Sequence, residues 1–276
     1  MNLLVTGLVA MLAAFAPTSQ FEELAGFRQL VTKQVSDRVG LERLAPAVGL
    51  PLEPGVYVTL SASELVAFDL LSMPLQNGRF EAPATAAECK GACPSAAYGL
   101  FRGLWSDLAV ESHAVVVDFP SRVLFATEAS IPASTLIEAA YAAASSRPRG
   151  VPTLHLLVYH PQAGLRARPF FLLPPGGLTV REESQVLGLV VGVEAAHRYA
   201  VDAASPSFHQ PVTVSGLGNL ASVVAGLKKR HPGKNVVQLD VRGPVTVGEL
   251  ASVMTTVERS FPTVVLSAGQ RVTVQR

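Results

Sequence analysis

The chain has 276 residues, of which 49% are hydrophobic and 16% are charged. This composition can build a sizeable core and excludes an intrinsically disordered chain. Lysine and arginine total 22 against 21 acidic residues, and the formal net charge of +1 argues against a polyanionic partner such as nucleic acid. Two cysteines are too few for a scaffold built on disulfides.

The chain begins with an uncharged apolar run at residues 3–16, which a polar turn follows at Pro17. A membrane span needs about 20 apolar residues, so this shorter run fits the apolar part of an export signal better. Ala14-Phe15-Ala16 supplies a cleavage site, although no lysine or arginine precedes the run. Residues 1–20 are predicted to be an export signal or a short membrane anchor, with a buried helix as the alternative. Either role predicts a location in the cell envelope, periplasmic or at the inner membrane.

Two further features of the sequence are a connecting segment and a pair of cysteines. Residues 21–53 are predicted to be a helical connector, because 21–38 has an amphipathic pattern. Cys89 and Cys93 lie in a polar loop, where an oxidising compartment could close a small disulfide ring. A metal site would need two more ligands, and the neighbouring sequence supplies none, so no metal is predicted.

The sequence contains an internal repeat. Residues 55–69 align without a gap on residues 188–202, and each copy predicts two short strands around a tight turn. In each copy a helix, a strand ending in aspartate, a second helix, a strand and a last short strand follow. These elements are predicted at 95–111, 115–118, 132–145, 153–159 and 168–173 in the first copy, and at 216–230, 236–240, 248–260, 263–267 and 271–274 in the second.

The repeat predicts an α+β protein of two tandem ββαβαββ units, each a small mixed sheet with two helices packed on it. The N-terminal apolar segment and the connecting helix precede them. The predicted domains are 54–173 and 187–276, joined by a linker at 174–186 that contains a Pro-Pro-Gly-Gly turn.

This order of a short apolar segment, a connector and a small ββαβαβ unit resembles the ExbD/TolR family of envelope proteins. The most similar residues are in the second unit, at 220–227, 234–240, 245–254 and 263–266. Family members that use the proton-motive force carry an aspartate in a membrane helix, whereas residues 2–20 contain no acid. The resemblance therefore implies a non-catalytic envelope scaffold or interaction module, without a cofactor and without enzymatic activity.

The resemblance also implies partners. These are an ExbB/TolQ-like or another envelope protein, or cell-wall polymer, and not nucleic acid. Because domains of this family pair as homodimers, the two copies are expected to form an intrachain pseudo-dimer. The candidate interaction surface is a basic cluster, although its place at a helix end also fits a solvated helix terminus. It consists of Lys228, Lys229, Arg230 and Lys234.

A glycine-rich turn supports a different function. Gly216-Leu217-Gly218 follows a short β run and opens a helix, and Asp240 ends the next strand. In dinucleotide-binding sheets such glycines admit the pyrophosphate and such an acid binds a ribose hydroxyl. The alternative function is therefore a dinucleotide-binding oxidoreductase-like protein. Against it, residues 241–276 are too few for the remaining strands of such a sheet.

The other notable side chains predict structure and not chemistry. Asp118 and Asp240 are predicted at equivalent strand ends, in a structural role such as an Asx turn or a helix cap. His113 and His231 end the first helix of each repeat, where a cation favours the helix dipole. The lone Trp105 is predicted to pack in the core. No HExxH motif or G-x-S-x-G elbow occurs, so no catalytic residue is predicted.

Overall fold

The structure is a computed structural model. It describes residues 20–81, 97–115, 121–147, 151–174, 177–180, 189–194, 196–202, 212–267 and 272–274. The helices are α1 (Gln20–Arg38), α2 (Tyr98–Val115), α3 (Ala133–Ser145), α4 (Leu217–Arg230) and α5 (Val247–Glu258), with a 3-10 turn at Leu41–Arg43. The strands are β1 (Val56–Leu60), β2 (Glu64–Ala67), β3 (Leu71–Pro74), β4 (Arg122–Thr127), β5 (Thr153–His160), β6 (Gly164–Leu172), β7 (Leu178–Val180), β8 (Leu189–Glu194), β9 (Arg198–Asp202), β10 (Val212–Ser215), β11 (Val236–Arg242), β12 (Thr263–Ser267) and β13 (Val272–Val274).

Most of the strands form one mixed sheet of eleven strands in the order β10-β9-β8-β11-β12-β6-β5-β4-β1-β2-β3. The prediction of two small tandem sheets is therefore wrong. The physical reason is β6, a nine-residue strand that pairs antiparallel with β5 on one side and parallel with β12 on the other. We call the β6–β12 junction the seam, because it joins the two halves of the sheet.

The two halves have the same strand order and register. The order β3-β2-β1-β4-β5 in the first half corresponds to β10-β9-β8-β11-β12 in the second. Val56 pairs with Val123 between β1 and β4, and Leu189 pairs with Val237 between β8 and β11. Each half thus begins with three antiparallel strands, and the predicted ββαβαββ pattern omits one of them.

Of the strand predicted at 115–118, only Val115 is among the described residues, and it lies in a helix and not in a strand. Helix α2 continues through Val115, residues 116–120 lie outside the described residues, and the strand that corresponds to β11 is β4. Arg122 pairs with Thr153 in the first half, and Val236 pairs with Thr263 in the second half. Arg122 is therefore equivalent to Val236 in the repeat. By the same register Ala126, and not Asp118, is equivalent to Asp240. Val115 begins a run of three valines, which has the composition of a strand. The sequence alone therefore did not show that α2 includes Val115.

Helices cover one face of the sheet along its length. The apolar sides of α2 and α3 in the first half and of α4 and α5 in the second share one core with the strands. On the opposite face α1, the predicted connecting helix, covers the first half, where Val31 and Val35 pack with Tyr57 and Leu124.

A cluster of polar contacts holds α1 on the sheet. Arg38 Nε donates to Asp69 Oδ1 at 2.7 Å, and the Tyr57 hydroxyl donates to Asp69 Oδ2 at 2.6 Å. Burial and the neighbouring carboxylate raise the pKa of Tyr57 well above its usual range. Asp69 lies in the turn after β2 at φ 54, a conformation that aspartate tolerates better than most residues. Asp69, which the repeat aligned with Asp202, is therefore a structural residue.

Backbone hydrogen bonds also cross between the two halves, at the loops before α3 and α5. Ala133 N donates to Val245 O, and Val247 N donates to Ile131 O, both at 2.8 Å. The two loops form an antiparallel bridge in which equivalent residues of the repeat exchange equivalent bonds. The starts of these two helices are thereby fixed to each other.

A buried ion pair reinforces the junction. Arg168 of β6 donates hydrogen bonds to Thr255 and Glu258 of α5, and the side chain of Arg168 is only 4% exposed. Burial raises the pKa of Glu258 in spite of the adjacent guanidinium. The desolvation of this carboxylate therefore outweighs its attraction to the arginine.

Two predictions concern residues outside those described. The export signal or anchor falls on residues 1–19, apart from Gln20, which begins α1. Cys89 and Cys93, and with them the candidate disulfide, fall within 82–96. Within the part of the chain that the structure describes, no helix is long and apolar enough to cross a membrane.

Candidate functional site

A cavity of about 360 Å³ lies where loops of both halves meet, at the carboxyl ends of β4 and β11. Ligands of open α/β sheets bind at this end of parallel strands. We call it the seam cavity. Its walls include Ala129 and Ser130 from the first half and His197, Leu217, Glu249 and Ser252 from the second.

His197 reaches the seam cavity from the tip of the β8–β9 hairpin. Ala196 and His197 both have a positive φ, 59 and 55, as the two central residues of a tight hairpin turn require. The carbonyl of His197 accepts a hydrogen bond from Gly216 N at 2.9 Å, so the hairpin is tied to the start of α4. The imidazole itself is 64% exposed and free to meet a ligand.

Glu249 is held in place by the cap of α5. Its Oε2 accepts from Thr246 N at 2.9 Å, and Thr246 Oγ1 accepts from Glu249 N at 3.2 Å, which completes a capping box. The other oxygen, Oε1, lies 3.6 Å from His197 Nδ1. Burial and the charge of Glu249 raise the pKa of Tyr199, which also lines the cavity. The cavity therefore contains a fixed carboxylate beside an imidazole.

The start of α4 differs from the start of α5 in its hydrogen bonding. Its N-cap is Gly216, at φ 80, which offers no side-chain cap. Within the described chain no acceptor takes the amides of residues 217–219, whereas the amides of Val247 and Gly248 at the start of α5 are taken by carbonyls of the first half. Leu217 lines the seam cavity, so the unsatisfied, electropositive end of α4 lies beside it.

The glycine pair does not have the setting that a dinucleotide fingerprint requires. The strand before Gly216 is β10, an edge strand that pairs antiparallel with β9, whereas the fingerprint follows a central strand of a parallel sheet. Asp240 faces away from the helices and is bonded to Ser267 and Arg242. The geometry therefore gives the dinucleotide-binding alternative no support.

One lysine of the basic cluster makes hydrogen bonds within the protein itself. Lys228 Nζ donates to the carbonyl oxygens of Pro232 and Lys234, at 2.9 and 2.6 Å, and so closes the end of α4. Lys229 and Arg230 remain exposed at the same helix end. A contact of this cluster with a partner stays a prediction.

A second cavity, of about 140 Å³, lies on the opposite face of the first half. Its polar side chains are Glu53, Arg122 and His155. Burial and the adjacent Arg122 lower the pKa of His155, against a smaller opposite effect of Glu53. The Nδ1 atom of His155 is buried without a hydrogen-bond partner among the described residues. We call this site the back cavity.

We expect the protein to lose stability as the pH falls from about 7 to 5. Since the pKa of His155 in the folded state lies below its ordinary value of 6.5, the unfolded chain binds a proton that the folded chain does not. Stability that is present above that value is therefore lost as the pH falls through it. Urea denaturation at several pH values should give a flatter dependence for His155→Gln. His197→Asn, at an exposed turn, is the control, and parallel curves for wild type and His155→Gln would contradict the assignment.

Sequence reasoning did not single out the two side chains that face each other in the seam cavity. The capping box of α5 was readable as Thr-x-x-Glu at 246–249, and it is the one local signal for Glu249. His197 carried no motif, because its approach to Glu249 depends on the hairpin and the sheet. Among the described residues no group of three or more His, Cys, Asp or Glu could hold a metal ion.

Comparison with known proteins gives a structural likeness and no match to a family. No family model and no curated protein matches the chain. Among solved structures, it is similar to a Bacteroides thetaiotaomicron protein described as having an actin-like ATPase fold and unknown function. The two are 9% identical with a TM-score of 0.24, over 77% of this chain and 90% of the other.

The prediction of tandem small units is overturned by the single large sheet of this chain itself. The prediction that the chain is not an enzyme is withdrawn and is not proposed again. At this TM-score the likeness assigns no reaction to the chain. The ExbD/TolR resemblance, the envelope location and the envelope partners stay predictions.

Proposed function

We propose that the protein binds a small anionic ligand in the seam cavity, and that this ligand also donates a hydrogen bond to Glu249. The observation that carries the proposal is the placement of three kinds of group around one cavity. These are the uncapped start of α4, the exposed imidazole of His197 and the fixed carboxylate of Glu249. A volume of about 360 Å³ is within the range of small-molecule pockets.

The chemistry of these groups defines the ligand class. Free amides at a helix start, next to an imidazole, favour a carboxylate or phosphate group. Glu249 accepts hydrogen bonds and repels a second anionic group, so the rest of the ligand should carry hydroxyl or amino donors. Hydroxy acids, amino acids and sugar phosphates meet both requirements.

The test is a titration of such compounds, followed by thermal unfolding and calorimetry of wild type and two variants. His197→Asn keeps a residue that tolerates the left-handed turn, and Glu249→Gln keeps an amide oxygen for the cap. Each is expected to weaken binding about tenfold, the loss of one charge-assisted hydrogen bond. Lys229→Ala, at the far end of α4, is the control. If no compound of the class raises the melting temperature, or if both variants bind like wild type, the proposal fails.

A further inference from the structure

The back cavity has a roof made by one segment of the chain. Residues 46–53, here called the strap, cross the sheet on the face that α1 also covers. Leu50 N donates to Ala167 O at 2.8 Å, and Ala167 N donates to Leu50 O at 3.0 Å. A Cβ on Gly49 would lie 2.8 Å from the Ala167 carbonyl, so only glycine lets the strap lie this close to β6. The strap is therefore a fixed wall of the cavity.

The interior of the back cavity is mainly apolar. Its apolar lining consists of Leu50 and Pro51 of the strap and of Leu124 and Ala167 of the sheet. Apolar cavities of about this volume hold molecules of the size of benzene. The space therefore accommodates a short hydrocarbon chain and excludes a nucleotide or a sugar phosphate.

An ion pair in the wall of the cavity gives it a polar end. Arg122 Nη2 lies 2.5 Å from Glu53 Oε2, and the two side chains are 36% and 56% exposed. Ion pairs this exposed contribute little to stability, so another carboxylate can replace Glu53 at low cost. A Cβ on Gly55 would lie 2.8 Å from Arg122 Cβ, so the close approach of the chain at Gly55 fixes the start of the arginine side chain.

We propose that the back cavity binds a short-chain carboxylate. The guanidinium of Arg122 holds the carboxylate in place of Glu53, because its planar donors match two carboxylate oxygens. The hydrocarbon chain lies against Leu50 and Leu124. His155 lines the same cavity, and its Nδ1 is buried without a hydrogen-bond partner among the described residues. Glu53 thereby acts as an internal competitor of the ligand.

Calorimetric titration of the full-length chain with hexanoate tests this site, with hexanol and hexylamine as controls of equal chain length. We expect hexanoate to bind, and we expect no binding of hexanol or hexylamine. Glu53→Gln should strengthen hexanoate binding several-fold, because it removes the charge that competes for Arg122. Arg122→Gln should abolish binding, and Arg166→Gln, which alters a neighbouring arginine of β6 outside the cavity, should leave it unchanged.

Glu53→Gln tests the site even if Arg122→Gln unfolds the protein, because the expected result for Glu53→Gln is a gain in affinity for hexanoate. Melting temperatures of all variants, measured without ligand, identify any that lose the fold. Equal binding of hexanoate and hexanol would show an apolar cavity without an anion site and would overturn the proposal. Undetectable hexanoate binding at millimolar concentration, or binding that weakens in Glu53→Gln, would overturn it as well.

Discussion

Replacing Glu258 with alanine is expected to lower the free energy of unfolding by about 3–5 kcal/mol. The substitution leaves Arg168, with a side chain 4% exposed, charged and without its carboxylate between β6 and α5. Its guanidinium is held between β6 and α5, where only Thr255 remains as a hydrogen-bond partner among the described residues. Urea denaturation followed by circular dichroism measures the change.

A double variant separates this loss from the net value of the ion pair. Burial raises the pKa of Glu258 even beside Arg168, so the attraction within the pair does not offset the desolvation of the carboxylate. Arg168→Met with Glu258→Leu should therefore recover most of the stability that Glu258→Ala loses. If the stability of Glu258→Ala lay within about 1 kcal/mol of wild type, Arg168 would be in contact with water. That result would contradict the buried position of Arg168.

Replacing Trp105 with alanine is expected to lower the free energy of unfolding by about 3–5 kcal/mol. The side chain is 1% exposed, in the core under α2, and its Nε1 donates to the carbonyl of Ala143 in α3 at 3.0 Å. Alanine removes both the packing and the hydrogen bond that joins the two helices.

Trp105→Phe separates these two contributions. It keeps most of the packing but removes the hydrogen bond from the indole to the Ala143 carbonyl, which should cost about 0.5–1.5 kcal/mol because Ser146 Oγ also donates to that carbonyl. Val110→Ala, at a position 66% exposed on the same helix, is the control and should change stability by less than about 0.5 kcal/mol. Because Trp105 is the only tryptophan, circular dichroism must follow the unfolding. A Trp105→Ala variant as stable as the control would contradict the core assignment.

Elements with a regular apolar period were predictable from the sequence. The ends of α3 and α4 and of the strand β12 lie within one residue of the predicted ends. Apolar residues recur at helical spacing in the two helices, and in β12 they form a short continuous run that is typical of a buried strand. The pairing of strands was not predictable in this way. The alternation within β6 does not show that its second edge pairs with β12, a strand about 100 residues away in sequence.

Arg168 was the available signal for that pairing. An arginine within an apolar strand implies a buried partner, and the partner, Glu258, lies in the other half of the chain. The same limit applies to the seam cavity. Glu249 is oriented by its own helix, but His197 meets it only after the hairpin, the sheet and the loops have come together.

The paired loops before α3 and α5 have a consequence for motion. Enzymes and receptors with a cleft between two lobes often admit their ligands by hinge bending. Here such bending would break the reciprocal hydrogen bonds at 131–133 and 245–247 together with the pairing of β6 and β12. The two halves cannot open like a clamshell, so a ligand of the seam cavity should exchange through local movement of the β8–β9 tip. Under the proposed function, His197 would then take part both in admitting the ligand and in binding it.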